Sequence, residues 1–205
     1  TFFTESTDEF QKWVSHLTKF CILSGLKRVF DMADILSREA FTTVRRAFCK
    51  ASGTEVAIKL ITKGSEVEEQ NLKEVDLMRR MSHNHIGKVI EVYDDHDKVA
   101  VVLETLKGDT LGSYIQGRGR VSEALAKKFM MSLLKALKHM HKRSCVHRDL
   151  NLDTIVLAQP GDLTSFKITN FSLACDLEKE TLGKRCGKAG FIAPEVLLNR
   201  TQSSK

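Results

Sequence analysis

Proline is nearly missing from this chain. Two prolines and twelve glycines among 205 residues leave little room for a Pro- or Gly-rich linker. No Cys-x-x-Cys pair occurs among the five cysteines, at 21, 49, 145, 175 and 186, so no zinc or dithiol redox motif is encoded. Scattered thiols in odd number fit a reducing compartment, and a cytoplasmic location is expected. Apolar runs stay far below the ~20 residues that a membrane span needs. A secretory leader is also missing, although the chain opens at Thr1 without Met and reads as a fragment.

What is present is ordinary for a globular chain, with 42% hydrophobic and 28% charged residues, so a packed core is expected. The net charge of +6 fits anionic partners in general. Much of the surplus, however, falls on Arg118, Arg120, Lys127, Lys128, Lys135, Lys138, Lys142 and Arg143. That clustering reads as the solvated face of one helix, and no nucleic-acid partner is expected.

Along the chain, Phe10, Trp13, Val14, Leu17, Phe20 and Cys21 predict an amphipathic helix over 6–21, with Ser6 and Glu9 as a capping box. Residues 23–34 read as a linker. Strands are expected over 35–44, 45–50 and 56–61, with a turn at Ala51-Ser52-Gly53-Thr54. A helix over 65–82 is predicted from Ser65 and Glu68 as capping box and Leu72, Val75, Met78 and Met81 as buried stripe. His83 and His85 follow as loop residues; no third ligand at suitable spacing makes them a metal site. Two strands, 89–93 and 99–103, flank the polar turn Asp94-Asp95-His96-Asp97. Helices over 109–117 and 122–142 come next, the second capped by Ser122 and turning Leu125, Phe129, Leu133, Leu137 and Met140 inward. Short strands at 155–157 and 166–168 surround Pro160-Gly161.

Six signatures stand in order. They are Val56-Ala57-Ile58-Lys59 on a strand, Glu74 on the following helix, Leu103-Glu104-Thr105-Leu106, and His147-Arg148-Asp149-Leu150 after the long helix. Asn170-Phe171-Ser172 and Ala193-Pro194-Glu195 complete the set. Together they resemble a eukaryotic protein kinase domain over about 33–205, most like the calcium/calmodulin-dependent serine/threonine group. The implied fold is α+β and bilobal: an antiparallel-sheet small lobe over 35–106 and an incomplete helical large lobe over 107–205. The segment 1–22 resembles the closing helix of a pleckstrin-homology domain. Membrane lipid would enter only through the upstream part of such a domain.

The resemblance implies roles residue by residue. Lys59 and Glu74 would form the ion pair that aims Lys59 at ATP phosphates, and Asp149 would orient the substrate hydroxyl. Val44, Ala57 and Val156 would wall the adenine, while Leu103, Glu104 and Leu106 would offer main-chain groups to it. Arg148 would hold a phosphate on the activation segment. Against this stand several losses. The phosphate-loop glycines fall on Ser37, Glu39 and Thr42, so close backbone approach is lost and a negative charge is added. Asn170 and Thr154 replace the two magnesium-binding positions, removing charge that a hard cation prefers. Asn151 replaces the Lys that contacts the transferred phosphate. The expectation is a degenerate kinase-like module with weak or absent ATP binding and doubtful magnesium, acting on or through protein partners. The alternatives are an active divergent serine/threonine kinase and a lipid-recruited adaptor.

Overall fold

The computed structural model describes residue 6, residues 22–179 and residues 186–198. The helix expected over 6–21 therefore lies outside the described residues, apart from Ser6. The chain divides into two compact units, the first running to Glu69 and resuming over Val89–Thr105, the second holding Gln70–Lys88 and the residues from Leu106 onward.

The first unit is a five-stranded antiparallel sheet in the order β1-β2-β3-β5-β4. Its strands are β1 (Phe30–Arg38), β2 (Thr42–Cys49), β3 (Glu55–Thr62), β4 (Val89–Asp94) and β5 (Lys98–Glu104). β-Branched residues dominate β3 and β5, where side chains alternate between the two faces. The β2–β3 turn works as expected: Gly53 adopts φ 68°, and its N–H donates to Cys49 O at 2.7 Å, a left-handed position that suits glycine. The β4–β5 turn is closed by Asp95 N to Lys98 O and by Asp95 Oδ1 accepting from His96 N.

Residues 23–34, read from sequence as a linker, are structured. A short helix, α1 (Leu26–Val29), leads directly into β1 at Phe30. Leu23 forms a parallel bridge with Tyr93 on β4, donating to Val92 O and accepting from Asp94 N. Leu26 and Phe30 join a core cluster with Ala47, Val56, Ile58, Tyr93, Ala100 and Val102. Phe30 meets Tyr93 edge-on with centroids 6.0 Å apart. The signal was hidden because these apolar residues, spaced at Leu23, Leu26 and Phe30, serve one sheet face through an irregular path rather than a single period. The expected strand over 35–44 is likewise two strands: the chain reverses at 39–41, and β1 is irregular between Met32 and Ser37.

The helix α2 (Glu68–Arg80), which carries the chain into the second unit at Gln70, begins at Glu68, three residues later than expected. The capping box does not form. Ser65 Oγ donates to Thr62 O, while the Glu68 carboxylate accepts from Gly64 N. Of the expected stripe, Val75, Met78 and Met81 are buried and Leu72 is exposed, while Asn71, Glu74 and Leu77 are buried beside them. Glu74 enters the stripe because its carboxylate accepts from Phe171 N. The remaining helices are α3 (Leu111–Arg118), α4 (Glu123–His141) and α5 (Pro194–Leu197). Thr110 caps α3 and Ser122 caps α4 through side-chain oxygens, satisfying N–H groups that no helical carbonyl reaches. On α4, Phe129, Leu133, Ala136 and Met140 are buried, with Leu125 and Leu137 half-buried. Two small strand pairs complete the unit, β6 (Cys145–Val146) with β9 (Cys175–Asp176), and β7 (Ile155–Leu157) with β8 (Phe166–Ile168). Phe166, Phe171, Ile86, Met140, Leu157 and Ile168 form the fully buried part.

Candidate functional site

Strand register gathers the predicted residues of the first unit. Val44 lies opposite Lys59, Ala57 opposite Leu103, and Lys59 opposite Val101. Directly opposed residues share a face and so do alternate residues on one strand. Val44, Ala57, Lys59 and Leu103 therefore share one face. The other face carries Val56, Ile58 and Val102 of the core cluster. Glu104 pairs with Val56, so its side chain belongs to that other face and only its main chain could serve the predicted hinge.

The β1–β2 turn, where phosphate-loop glycines were expected to be lost, is closed on itself. Glu39 N donates to Thr42 O at 2.9 Å, and Thr42 Oγ1 donates to the Glu39 carboxylate at 3.0 Å. An N–H used in this way, beside a carboxylate, does not fit a polyphosphate. The apolar face with Val44, Ala57 and Leu103 does fit a flat aromatic ring.

The second unit holds Glu74, Leu106, Asp149, Thr154, Val156 and Asn170. Leu106 lies half-buried before α3, where Lys107 N and Gly108 N bond to Ala158 O and Leu157 O. Gly108 is required there, because a Cβ would fall 2.6 Å from Leu157 Cβ. Val156 is half-buried between the buried Ile155 and Leu157.

The loop 147–154 is held by an interlocked set of bonds. His147 Nε2 donates to Thr169 O at 2.9 Å, and its Nδ1 accepts from Asp149 N at 3.3 Å. Burial holds the His147 pKa below the usual range, against the pull of the Thr169 carbonyl and of Asp149 and Glu74. The ring is thus neutral, as one donating and one accepting nitrogen require. It packs edge-on against Phe171 with centroids 5.1 Å apart. Arg148 adopts φ 62°, a costly conformation for a residue with a Cβ. It is held there by Nε donating to Leu173 O at 2.7 Å. Glu74 Oε1 accepts from Phe171 N at 3.1 Å, and Gln70 donates to Ser172 O. The helix acid is thereby fixed to the Asn170-Phe171-Ser172 segment. Gln70 was missed from sequence because it sits one turn before Glu74 with no motif of its own.

Of the two positions expected to be degenerate for metal, Thr154 is buried in its loop and Asn170 is exposed. Thr154, 3% exposed, donates from Oγ1 to Asp149 O at 3.0 Å and accepts from Asn151 N at 3.0 Å. Asn170, at φ 60°, accepts at Oδ1 from Ser172 Oγ at 2.7 Å. Neither supplies a carboxylate, and the two oxygens already bond to Asp149 O and Asn151 N in one case and to Ser172 in the other. This donor set does not fit magnesium. Among the described residues, no group of three or more His, Cys, Asp or Glu side chains is placed to hold a metal ion.

Asp149 keeps its carboxylate in the loop. Its Oδ1 accepts from Asn151 Nδ2 at 3.1 Å and from Lys188 N at 3.0 Å. Lys188 also pairs through Nζ with Asp153. Neither Lys188 nor Asp153 was singled out from sequence, since Lys188 was absorbed into the run before Ala193-Pro194-Glu195.

A model of the protein kinase domain family matches residues 31–205. The chain belongs to that family. This kinase domain is 36% identical over 174 residues to probable serine/threonine-protein kinase 2 of Plasmodium falciparum (isolate K1 / Thailand), covering 84% of this chain and 34% of that protein. It is 32% identical over 181 residues to human NUAK family SNF1-like kinase 1, covering 86% and 27%. To calcium/calmodulin-dependent protein kinase type 1 of Macrobrachium nipponense it is 31% identical over 176 residues, covering 83% and 50%. The chain thus spans between about a quarter and a half of the length of these relatives. The α+β fold and the likeness to serine/threonine kinases agree with the sequence reading. Kinase domains as a family use ATP with magnesium.

Proposed function

We propose that this kinase domain is impaired in magnesium-dependent phosphoryl transfer and acts as a signalling scaffold or regulator through protein partners. The observation that carries the reading is that Thr154 and Asn170 supply no carboxylate, Thr154 being buried and bonded to Asp149 O and Asn151 N. Phosphoryl transfer depends on positioning and charge neutralisation, with little covalent help from the protein. The Asp149 loop without metal carboxylates lacks much of the second, and the β1–β2 turn, with Glu39 bonded across it, offers little of the first. Each preorganised charge is worth about two to three powers of ten in rate. Losing several together predicts no detectable transfer and only weak nucleotide binding.

A second reading is a divergent serine/threonine kinase that acts on protein substrates. What favours it is the ordered loop around Asp149, with His147, Arg148 and Glu74 each bonded as a working scaffold would need. Radiolabel transfer by the full-length protein, with magnesium and then manganese, separates the two. No incorporation is expected. Incorporation that disappears in Asp149→Ala would establish the second reading instead.

A further inference from the structure

Three imidazoles meet where the turn after α2 passes α4. The His83 ring lies 5.1 Å from that of His139 and 5.8 Å from that of His85, centroid to centroid. Their hydrogen bonds fix where the protons sit. His83 Nδ1 accepts from His85 N at 3.1 Å, and His139 Nδ1 lies 3.3 Å from Arg143 Nη1. A guanidinium only donates, so both Nδ1 atoms are acceptors and both neutral rings carry their proton on Nε2. His139 Nε2 is buried with no hydrogen-bond partner among the described residues. His85 is held differently. Its Nδ1 donates to Phe166 O at 3.0 Å, and its ring stacks on Phe166 with centroids 4.3 Å apart.

A second proton on His83 or His139 has only Nδ1 to go to. At His83 it would face the N–H of His85, and at His139 the guanidinium of Arg143. Either proton breaks a bond and sets donor against donor. The titratable and charged groups that act on His83 are His139 on α4, His85 in the turn and Lys167 on β8; on His139 it is Arg143. No carboxylate is among them. Burial lowers the pKa of both rings, and these neighbours lower it further. His85, by contrast, donates to Phe166 O whether its ring is neutral or charged. The turn is fastened at its far side by Ile168 N donating to His85 O at 2.9 Å and by Gly87 N donating to Ile168 O at 2.8 Å. The approach is close, since a Cβ at Gly87 would lie 3.2 Å from Ile168 O. We propose that His83 and His139 form a proton-operated clasp, which fastens residues 83–87 to α4 and β8 when neutral and releases them in mild acid. The turn follows α2 directly, so its release loosens the end of the helix whose Glu74 accepts from Phe171 N. The clasp goes beyond the proposed loss of phosphoryl transfer and does not depend on it.

Hydrogen exchange in the full-length protein, corrected for its intrinsic pH dependence, tests the clasp from about pH 7.5 to about 5.5. Each ring's folded pKa lies below the ordinary value of about 6.5, so the closed turn is favoured above that pH and the open turn takes up protons below it. Exchange at Gly87 and Ile168 should rise about tenfold more than at Leu157, the effect of one pKa unit. Leu157 N, bonded to Asp109 O in the same unit, is the reference. His83→Asn keeps an acceptor for His85 N and removes the titration; combined with His139→Phe it should abolish the extra rise. Arg143→Glu should abolish most of it, because a carboxylate beside His139 Nδ1 accepts from the second proton. A merely structural Arg143 predicts faster exchange at every pH instead. Should the double variant fail to fold, the imidazole nitrogen shifts of the unaltered protein carry the test: both rings must be Nε2–H tautomers at neutral pH and titrate in step with the rise at Gly87. The proposal is overturned if Gly87 and Ile168 rise no more than Leu157, or if the rise survives either the double variant or Arg143→Glu. It is equally overturned if either neutral ring carries its proton on Nδ1.

Discussion

The hydroxyl of Thr154 lies 3.0 Å from the main-chain oxygen of Asp149, so a residue expected from sequence to replace a metal ligand is a peg that closes the 147–154 loop. Thr154→Val keeps the shape and removes the bonds. It leaves buried polar groups at Asp149 and Asn151 without their partner, which costs about 1–3 kcal/mol. A urea titration should show that loss as a lower midpoint with an unchanged slope. The pair Thr154→Asn with Asn170→Asp should create magnesium-dependent ATP binding. An affinity that does not change on adding magnesium would show that the metal positions are not what limits this domain.

Glu74 predicts a local effect. Its bond to Phe171 N is made at a residue only 8% exposed. Glu74→Ala should therefore release the amide of Phe171 and lower stability by about 1–3 kcal/mol. Hydrogen exchange should rise at Phe171 and Ser172 before it rises at Ile168, which is held by His85 O.

Histidine protonation sets the acid limit. Burial lowers the pKa of His83, His139 and His147, and neighbouring His139, His85 and Lys167 add to the effect at His83. The folded protein thus favours the neutral rings. Above the unfolded value, about 6.5, their contribution is fully present. As pH falls below it, the unfolded chain takes up protons that the folded chain refuses, and stability declines until the folded values are passed. Melting temperature should fall between pH 7.5 and 5.5. His83→Gln with His139→Gln should flatten that dependence, and an unchanged slope would remove these two rings from the explanation.

Thiol reactivity should be ordered. Hydrogen bonds from Ser52 and Ala51 lower the Cys49 pKa, whereas burial pushes Cys145 up to about 11. Because the thiolate is the nucleophile, iodoacetamide should modify Cys49 well before Cys145 in the folded protein. Ser52→Ala should slow labelling at Cys49. Equal rates at the two sites would contradict this order.

Much of the site was legible because motif spacing is local. Val56-Ala57-Ile58-Lys59 and His147-Arg148-Asp149 fall on a strand and on the loop after the long helix, where the residues alone placed them. Caps such as Ser122 were legible for the same reason. What could not be read depends on partners far along the chain. Glu74 is buried against the expectation for a charged residue because Phe171, far along the chain, bonds to it. Thr154 reads as a lost ligand until Asp149 O and Asn151 N are seen around it. Lys188 gains meaning only from a carboxylate 39 positions earlier.

The pairing of Leu23 with β4 bears on where this domain can safely be cut. The family match starts at residue 31, yet Leu23, Leu26 and Phe30 cover the sheet that the match includes. A chain trimmed to that boundary would lay bare Tyr93, Val102 and Ile58 on one flat face. It would also free Val92 O and Asp94 N along the outermost strand, an open template for a second chain. Residues 22–30 thus act as a guard rail against edge-to-edge pairing, and the first defect of the trimmed chain should be self-association at concentrations where the longer one stays monomeric.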